Sequence, residues 1–389
     1  MELSKIMFAL LRFELNETAL CDDVKNSITA EMYPALFKLS KRQDLAHLIG
    51  DALDRNGLLS DGTVEKKLFL QERNMAVYRY EQMQYEYERI CETLKNKNIL
   101  FIPLKGAVLR QYYPEPWMRT SCDIDILIEK DRLEEVENIL TEILKYRKDG
   151  VGAHDVHFYS EGGIHLELHF SLIELQKFQQ QKNAKLILDT VWNEIEKTEN
   201  SLCVLRGEFF FFYHLVHMFD HFIGGGCGVR FFLDTWIIRR FINVDDIRFN
   251  EFLKNANLFK FADGIIQTTN AWFENGQETS IVIDIQEYVL YAGMYGDIKN
   301  RMAIEQGRKG NKISYILKRI FLPYEELKYQ YPIIKEHKIL TPICQLMRWG
   351  RLVFNKHKSK PLQELKLNGK ISKEERNRAA RIFVDLGIY

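Results

Sequence analysis

The segment Cys-Asp-Ile-Asp-Ile-Leu-Ile at residues 122–128 constrains the fold more than any other part of this chain. Acidic and apolar residues alternate along it, which is the period of a β-strand with one polar face and one buried face. Asp123 and Asp125 then leave the same face, while Ile124 and Ile126 point into a core. Sheet packing alone does not favour two neighbouring carboxylates, because they repel each other. A hard divalent cation between them would remove that repulsion.

The residues on both sides of this strand predict an α/β unit that begins near residue 96 and ends near residue 200. Apolar runs, a glycine that opens a helix, and a Gly-Gly turn between two alternating segments give the order strand, helix, strand, helix, hairpin. The segments are 99–104, 106–113, 122–128, 131–144, 156–160 and 164–170.

The remainder of the chain has the periodicity of helices. Met83, Tyr87, Ile90 and Leu94 recur at steps of three or four residues between charged residues, which is typical of an amphipathic helix. Helical patterns return after about residue 202. The sequence therefore predicts an N-terminal helical region at residues 1–95, an α/β core at 96–200 and a C-terminal helical domain at 201–389, which is an α+β fold.

The distribution of charge and of cysteines limits the cellular compartments and binding partners that the sequence predicts. The chain has 54 basic and 54 acidic residues, yet residues 301–389 carry 20 Lys or Arg against 8 Asp or Glu. This basic region either faces an anionic partner or neutralises the acidic remainder of the chain. The six cysteines are dispersed, and no apolar run approaches the roughly 20 residues that span a bilayer. These features predict a cytoplasmic protein without a membrane span.

A third carboxylate is available in the second strand of the predicted hairpin. In residues 164–169 the polar residues His165, Glu167 and His169 share one face, and apolar residues share the other. If this strand lies beside the first, Glu167 joins Asp123 and Asp125 in a cluster of carboxylates. Such a cluster can hold two Mg²⁺ ions, or Mn²⁺ in their place, about 3.5–4 Å apart.

Residues that would hold phosphate groups precede the acidic strand. Lys105, Gly106 and Ala107 lie where a strand ends and a helix begins, so free backbone N–H groups there would bind a triphosphate. Gly106 would allow close approach, and Lys105 would add a positive charge. Arg119 is placed either to contact a phosphate or to brace the acidic pair.

These motifs together resemble the DNA-polymerase-β-like nucleotidyltransferase superfamily. The segment LKGAVLRQYYPEPWMRTSCDIDILI followed by HLELHF resembles most closely its bacterial branch of uncharacterised nucleotidyltransferases. The resemblance covers residues 100–170 and extends more loosely through His217, His221, Arg230 and Asp234. It implies a small mixed sheet elaborated by helical regions, and transfer of a nucleoside monophosphate from an NTP with release of pyrophosphate.

The resemblance also implies roles for individual residues. Asp123 and Asp125 would be metal ligands, and Glu167 the third carboxylate, which would also help to deprotonate the acceptor hydroxyl. Gly106 matches the glycine of the phosphate-binding turn, although the usual Gly-Ser or Gly-Gly is replaced here and the spacing to Asp123 is longer. The acceptor stays open between a small molecule, a protein hydroxyl and an RNA end, and the basic region favours an anionic acceptor such as tRNA.

The histidines support alternative interpretations. His154, His157, His165 and His169 cluster around the hairpin, where a zinc-dependent hydrolase could hold its metal, while His169 could instead orient Glu167 or contact substrate.

A second set of histidines lies on a predicted helix. His214, His217 and His221 share one of its faces, and Arg230 and Asp234 lie four residues apart on the next helix, where they could pair. These residues either connect two core helices or contact the nucleotide or acceptor. A non-catalytic nucleotide-binding or scaffolding protein that retains the fold is a further alternative, and the sequence leaves the base preference and oligomeric state open.

Overall fold

The computed structural model describes residues 2–16, 18–173, 179–197, 200–274, 276–294, 321–354 and 372–388. The helices up to residue 294 are α1 Leu3–Asn16, α2 Asp22–Ser27, α3 Tyr33–Arg42, α4 Ala46–Arg55, α5 Val64–Asn96, α6 Gly106–Leu109, α7 Leu133–Asn138, α8 Gln179–Leu188, α9 Gly207–Ile223, α10 Val229–Phe241, α11 Asp246–Asn255, α12 Phe259–Phe273 and α13 Ser280–Ala292. Later helices are Tyr324–Gln330, Ile333–Glu336, Thr341–Phe354 and Lys373–Asp385. The strands are β1 Phe101–Pro103, β2 Asp123–Ile128, β3 Arg147–Val151, β4 Asp155–Tyr159, β5 His165–His169, β6 Ile195–Lys197 and β7 Cys203–Leu205.

Five strands form one mixed sheet in the order β1-β2-β5-β4-β3. The acidic strand β2 runs parallel to β5, and the other neighbouring pairs are antiparallel. Strands β6 and β7 form a separate antiparallel pair, which a bridge from Leu202 to Phe101 joins to the edge of the main sheet. The predicted α+β class, with a small mixed sheet and helical flanks, is therefore confirmed.

One face of the sheet is buried against helices α5 and α7. The apolar residues that alternate with the acids on β2 and β5 lie in this core, where Ile126 and Leu166 have no exposed surface. Met83, Ile90 and Leu94 of α5 cover them. Burial of the apolar set on one face fixes the strand register, because a shift by one residue would turn every side chain over. The acidic residues are consequently held on the opposite face.

The N-terminal and C-terminal helical regions share a second hydrophobic core. Helices α1 and α12 meet where Phe8 stacks on Trp272, with ring centroids 4.5 Å apart. Gln43, which follows α3, donates a hydrogen bond to the Val289 carbonyl of α13 at 3.1 Å. Residues that are distant in sequence thus join the two helical regions into one hydrophobic core.

Several parts of the sheet region differ from the sequence expectation. The helix predicted over 131–144 is α-helical over Leu133–Asn138 and continues as a π-helix over Ile139–Ile143, and β6 was not predicted. Strand β3 has no counterpart among the predicted segments, because Arg-Lys-Asp-Gly-Val lacks an apolar alternation. It lies at the edge of the sheet, where β4 is its neighbour. The helix expected over 106–113 is α6 followed by a 3₁₀ turn, Arg110–Tyr112.

The C-terminal part of the chain is only partly described. Within the basic region predicted to bind an anionic partner, residues 301–320 and 355–371 lie outside the described ranges. Among the helices that the structure describes, none is both long and apolar enough to cross a membrane.

Candidate functional site

The polar face of the sheet is a grid built by strands β2, β5 and β4. Because β2 pairs with β5 and β5 pairs with β4, the polar residues of the three strands lie opposite one another in rows. The rows are Asp123–His165–Tyr159, Asp125–Glu167–His157 and Leu127–His169–Asp155. The structure therefore sets Asp125 directly beside Glu167.

Asp125 is the most enclosed carboxylate of the grid, with 3% of its surface exposed. Lys105 Nζ donates to its Oδ1 at 2.7 Å, and His169 Nε2 donates to the same oxygen at 2.9 Å. Burial acts to raise the pKa of Asp125, but the Lys105 charge and the His169 hydrogen bond outweigh it and hold the pKa below its usual range. Asp125 is therefore an ionised carboxylate at neutral pH.

His169 links Asp125 to Glu167. Its Nε2 lies 3.5 Å from Glu167 Oε2, and its ring is buried beneath the two carboxylates with 1% of its surface exposed. Burial acts to lower the pKa of His169, whereas its hydrogen bonds to Asp125 and Glu167 raise the pKa above its usual value. Each of these three residues offers a ligand atom, and the three atoms lie within 4.8 Å of one another. His169 thus orients both carboxylates.

Asp123 lies two residues earlier on β2 and is half-buried. Among the described residues it belongs to no group of three or more ligand atoms at this spacing, so a cation that bridges Asp123, Asp125 and Glu167 requires rotation of the Asp123 side chain. Burial and then the Asp125 charge raise the pKa of Asp123 to about 6, against the opposing effect of Lys105. Its ionised form is thus disfavoured in the metal-free protein.

The raised pKa of Asp123 predicts a pH-dependent gain in stability for Asp123→Asn. The native state binds the Asp123 proton more tightly than the unfolded state, whose pKa is near 4. This contribution to stability is fully present below that pKa, and it is lost as the pH rises through the native pKa of about 6. We therefore expect the free energy of unfolding of metal-free Asp123→Asn to exceed that of wild type by about 3 kcal/mol at pH 8. Urea denaturation between pH 8 and pH 5 measures this difference, which should shrink as the pH falls.

An exposed aspartate serves as the control for that measurement. Asp131→Asn removes a carboxylate from the surface and should leave stability unchanged at both pH values. A gain for Asp123→Asn that is independent of pH would contradict the assignment of the raised pKa to this residue.

A tight turn places Lys105 beside the carboxylates. Lys105 has φ +46° and ψ −116°, and the Ala107 N–H donates to the Leu104 carbonyl at 3.1 Å, which together define a type II′ turn. A lysine at the first central position of this turn is strained, because that position favours glycine. The Ala107 N–H closes this turn in the structure, and the phosphate role of Ala107 stays a prediction. Ala107 also does not border the cavity described below.

The strain at Lys105 predicts an unusual ranking of two variants. Both Lys105→Gly and Lys105→Ala lose the ion pair with Asp125, but only glycine relieves the positive φ. We expect the glycine variant to be more stable than the alanine variant by about 1–2 kcal/mol. Thermal and urea denaturation of the two proteins measure the difference. Equal stabilities, or a more stable alanine variant, would contradict a strained turn.

A cavity of about 540 Å³ lies between the polar face of the sheet and helices α9 and α10. Most of the residues singled out from the sequence border it: Lys105, Gly106, Arg119, Asp123, Asp125, Glu167, His217, His221, Arg230 and Asp234. At Gly106 an added Cβ would lie 3.4 Å from the Ser121 side chain, so internal packing alone does not require glycine there. Residues that are far apart in sequence are thus gathered around one chamber.

Arg119 and Asp234 form a buried ion pair at the wall of this cavity. Arg119 Nε donates to Asp234 Oδ1 at 2.8 Å, Nη2 donates to Oδ2 at 2.8 Å, and Nη1 donates to the Thr120 carbonyl. Tyr113 donates a further hydrogen bond to Asp234 at 2.8 Å. The predicted phosphate-binding or carboxylate-bracing role of Arg119 finds no support in these contacts, since all three of its nitrogens serve protein oxygens.

Arg230 does not pair with Asp234, contrary to the prediction from their helical spacing. Its Nη1 donates to Asp44 Oδ2 and to the Thr120 carbonyl, each at 2.9 Å. Asp234 instead takes Arg119, whose two parallel bonds make a stronger contact than a single bond along a helix face. Arg230 remains at the cavity wall, and burial and then the Arg119 charge lower its pKa.

The histidines of α9 have two different positions: one connects two core helices, and two lie at the cavity where a nucleotide or acceptor could bind. His214 Nε2 lies 3.0 Å from Thr235 Oγ1 and connects α9 to α10, and burial lowers its pKa to about 4. His217 and His221 border the cavity with their Nε2 atoms 3.2 Å apart. Burial and then the Lys105 charge lower the pKa of both, so both imidazoles are neutral at pH 7. They are available as neutral hydrogen-bonding groups.

Sequence reasoning missed two polar groups of the cavity. Tyr213 borders it one helical turn before His217, so extending the histidine stripe by four residues would have found it. Asp155 begins β4 and lies opposite His169 in the register, although the sequence predicts that the hairpin starts at residue 156. The alternation of Asp155, His157 and Tyr159 was the available signal.

Comparison with known proteins gives one match. A family model described as "Uncharacterised nucleotidyltransferase" matches residues 30–274, which include β1 to β5 and the helices α9 and α10 that enclose the cavity. Neither the curated proteins nor the solved structures include a match to the chain. Because the family model covers more than half of the sequence, the chain belongs to the uncharacterised nucleotidyltransferase family.

Proposed function

We propose that this protein transfers a nucleoside monophosphate from an NTP to a hydroxyl group, with Asp123, Asp125 and Glu167 as the residues that hold divalent metal. One observation carries the proposal: the ionised Asp125 lies opposite Glu167 in the parallel register, at the floor of a cavity that also contains a lysine cation. Neutral His217 and His221 border the same chamber. The excess of basic residues at 301–389 favours an anionic acceptor such as RNA.

The donor set fits Mg²⁺ or Mn²⁺. Carboxylate oxygens are the ligands that these cations prefer. Burial is the larger cause of the raised pKa of Asp123, and the Asp125 charge adds to it, so the neighbouring carboxylates also create an excess of negative charge. Lys105 Nζ, at 2.7 Å from Asp125, offsets part of this excess in the metal-free protein. When bound, the metal would supply neutralisation of the phosphate charge and activation of the attacking hydroxyl.

Lys105 and Glu167 have separate tasks in this proposal. Lys105 keeps its proton, because the Asp125 charge outweighs the effect of burial and raises its pKa, so its ammonium group can bind a phosphate oxygen of the NTP. Burial acts to raise the pKa of Glu167, but the His169 hydrogen bond and Lys105 lower it overall. Glu167 is therefore ionised and able to accept the proton of the acceptor hydroxyl.

The chamber has the dimensions of a nucleotide site. Its volume of about 540 Å³ falls within the range of roughly 300–1,000 Å³ typical of small-molecule pockets. His217 and His221 pack against Phe231 in tilted arrangements, with ring centroids 5.4 and 5.0 Å from it, on the wall that faces the carboxylates. Neutral imidazoles at this wall can donate and accept hydrogen bonds with a base or sugar.

The experiment that tests the proposal is binding of ATP, GTP, CTP and UTP to the purified protein with and without Mg²⁺. We expect metal-dependent binding of at least one nucleotide, and about fivefold weaker binding by His217→Ala, because a single hydrogen bond contributes about 1 kcal/mol. The melting temperature of this variant should stay close to that of wild type, since His217 borders the chamber.

His214→Ala is the comparison for that variant, because His214 connects α9 to α10 and its loss should lower stability. Failure of folded wild-type protein to bind any NTP would favour a scaffolding protein without nucleotide, or the zinc-dependent hydrolase. Unchanged affinity in folded His217→Ala would remove this histidine from the nucleotide site.

A further inference from the structure

The β4–β5 hairpin holds a second group of potential metal ligands. His154, Asp155 and His169 each offer a ligand atom, and these atoms lie within 4.8 Å of one another. Asp155 and His169 are direct cross-strand partners, and the rings of His154 and His169 have centroids 5.2 Å apart. Asp155 and His169 lie on two paired strands, and His154 immediately precedes β4, where its carbonyl accepts a hydrogen bond from the Phe170 N–H, so the sheet helps to fix their spacing.

Two buried atoms of this group lack hydrogen-bond partners. Within the described part of the chain, His169 Nδ1 and Asp155 Oδ1 have none, although their residues are only 1% and 4% exposed. His157 Nε2 lies 3.4 Å from Asp155 Oδ1, and His154 Nε2 lies 3.5 Å from Oδ2. Buried polar atoms are costly when unsatisfied, and in native structures each one calls for an explanation such as an ion.

The geometry of His169 matches that of a metal-binding histidine. Asp125 accepts a hydrogen bond from Nε2, which leaves Nδ1 as the ring nitrogen with a lone pair available. Histidines that ligate metals almost always donate their other ring N–H to a carboxylate or carbonyl, which fixes the tautomer. The carboxylate of the proposed catalytic site would thus serve as the orienting partner for this second site.

The backbone and the cavity support the same arrangement. At Gly152 an added Cβ would lie 1.9 Å from Asp155 Oδ1, so the carboxylate occupies its place only because residue 152 is glycine. His154 and Asp155 both border the cavity, which provides a route for an ion and leaves a coordination position open to it.

We propose that His154, Asp155 and His169 bind a divalent transition metal of the zinc class, separate from the carboxylate site for Mg²⁺. Two imidazoles and one carboxylate suit Zn²⁺, whereas Mg²⁺ prefers oxygen ligands. Metal at this site fixes the His169 ring, and therefore the position of Asp125. The inference goes beyond the proposed function and does not depend on it, because zinc binding is measured without nucleotide.

A neighbouring group supplies a matched control. His157, His165 and Glu167 also lie within ligand spacing of one another. His157 Nδ1 and His165 Nε2 are 3.2 Å apart, however, and satisfy each other by a hydrogen bond. His157→Ala therefore removes a histidine of the same hairpin and keeps all three proposed ligands, although it also removes the Nε2 atom that lies 3.4 Å from Asp155 Oδ1.

The test is a Zn²⁺ titration of the metal-free, full-length protein in competition with a chromophoric chelator and in excess Mg²⁺. We expect one equivalent of Zn²⁺ in wild type, at least about 100-fold weaker binding in His154→Ala and Asp155→Asn, and unchanged binding in His157→Ala. Asp125→Asn, which alters the orienting partner of His169 and none of the three ligands, should weaken binding by about 10- to 100-fold.

Direct evidence for the ligands comes from Co²⁺ in place of Zn²⁺. A visible d–d absorption band that His154→Ala alters, in a protein whose circular dichroism spectrum is unchanged, reports the loss of an imidazole ligand. Substoichiometric or undetectable Zn²⁺ binding by folded wild type would overturn the proposal. Binding that His157→Ala abolishes and His154→Ala leaves intact would also overturn it.

Discussion

Arg119→Ala is expected to destabilise the protein by about 3–5 kcal/mol, the range found when one partner of a buried ion pair is removed. The pair with Asp234 is two-pronged, and the two side chains are 7% and 4% exposed. Truncation of Arg119 would leave Asp234 as a buried charge, and Tyr113 would be its remaining hydrogen-bond donor among the described residues. Urea denaturation measures the loss as a lower midpoint at unchanged slope.

A double variant separates the charge effect from lost packing. Arg119→Met combined with Asp234→Leu replaces both charges with apolar groups, and it should be more stable than either single variant, because no charge is left unpaired. Arg132→Ala, which removes an exposed arginine from an ion pair with Glu135, should leave stability unchanged. Arg119→Ala that keeps wild-type stability and loses NTP binding would instead restore the phosphate role.

The Arg119–Asp234 pair also explains how the cavity is held together. Arg119 precedes β2, while Asp234 lies on α10, so the pair connects the acidic strand to the helical wall across 115 residues of sequence. Arg230 makes a parallel connection from α10 to Asp44. These contacts set the distance between the carboxylates and the histidines, which neither the sheet nor the helices determine alone.

The sheet could be predicted from sequence because its signals are local. The alternation at residues 122–128 depends only on the strand period, and the Gly162-Gly163 turn requires a positive φ, which Gly163 adopts at +79°. The strand period alone therefore places Asp125 and Glu167 on the polar faces of their strands. Their pairing still required the parallel register of β2 and β5, which periodicity does not specify.

The cavity wall could not be predicted because its contacts are long-range. The spacing of Arg230 and Asp234 satisfies the rule for a helical pair, yet a two-pronged tertiary partner outcompetes a local contact that contributes only a few tenths of a kcal/mol. His214 and His217 share a helix and a residue type, but only packing against α10 separates the structural histidine from the one at the cavity.

Asp125→Asn is expected to reduce nucleotidyl transfer by about 1,000-fold, which corresponds to roughly 4 kcal/mol of transition-state stabilisation. Asparagine retains the shape of the side chain but removes the negative charge that holds Lys105 and would hold metal. The loss should appear in kcat, with metal-dependent NTP binding also weakened. Release of pyrophosphate from the NTP that binds best measures it, with each rate divided by the folded fraction.

Stability and catalysis must be separated in this variant, because Asp125 also accepts hydrogen bonds from Lys105 and His169. Asp131→Asn, an exposed carboxylate just beyond the same strand, should retain the wild-type rate. Asp125→Glu keeps the charge but lengthens the side chain. It should recover metal binding more fully than the rate of nucleotidyl transfer, because transfer depends on geometry more strongly than metal binding does. Full activity in folded Asp125→Asn would show that the buried carboxylate serves the sheet and not the reaction.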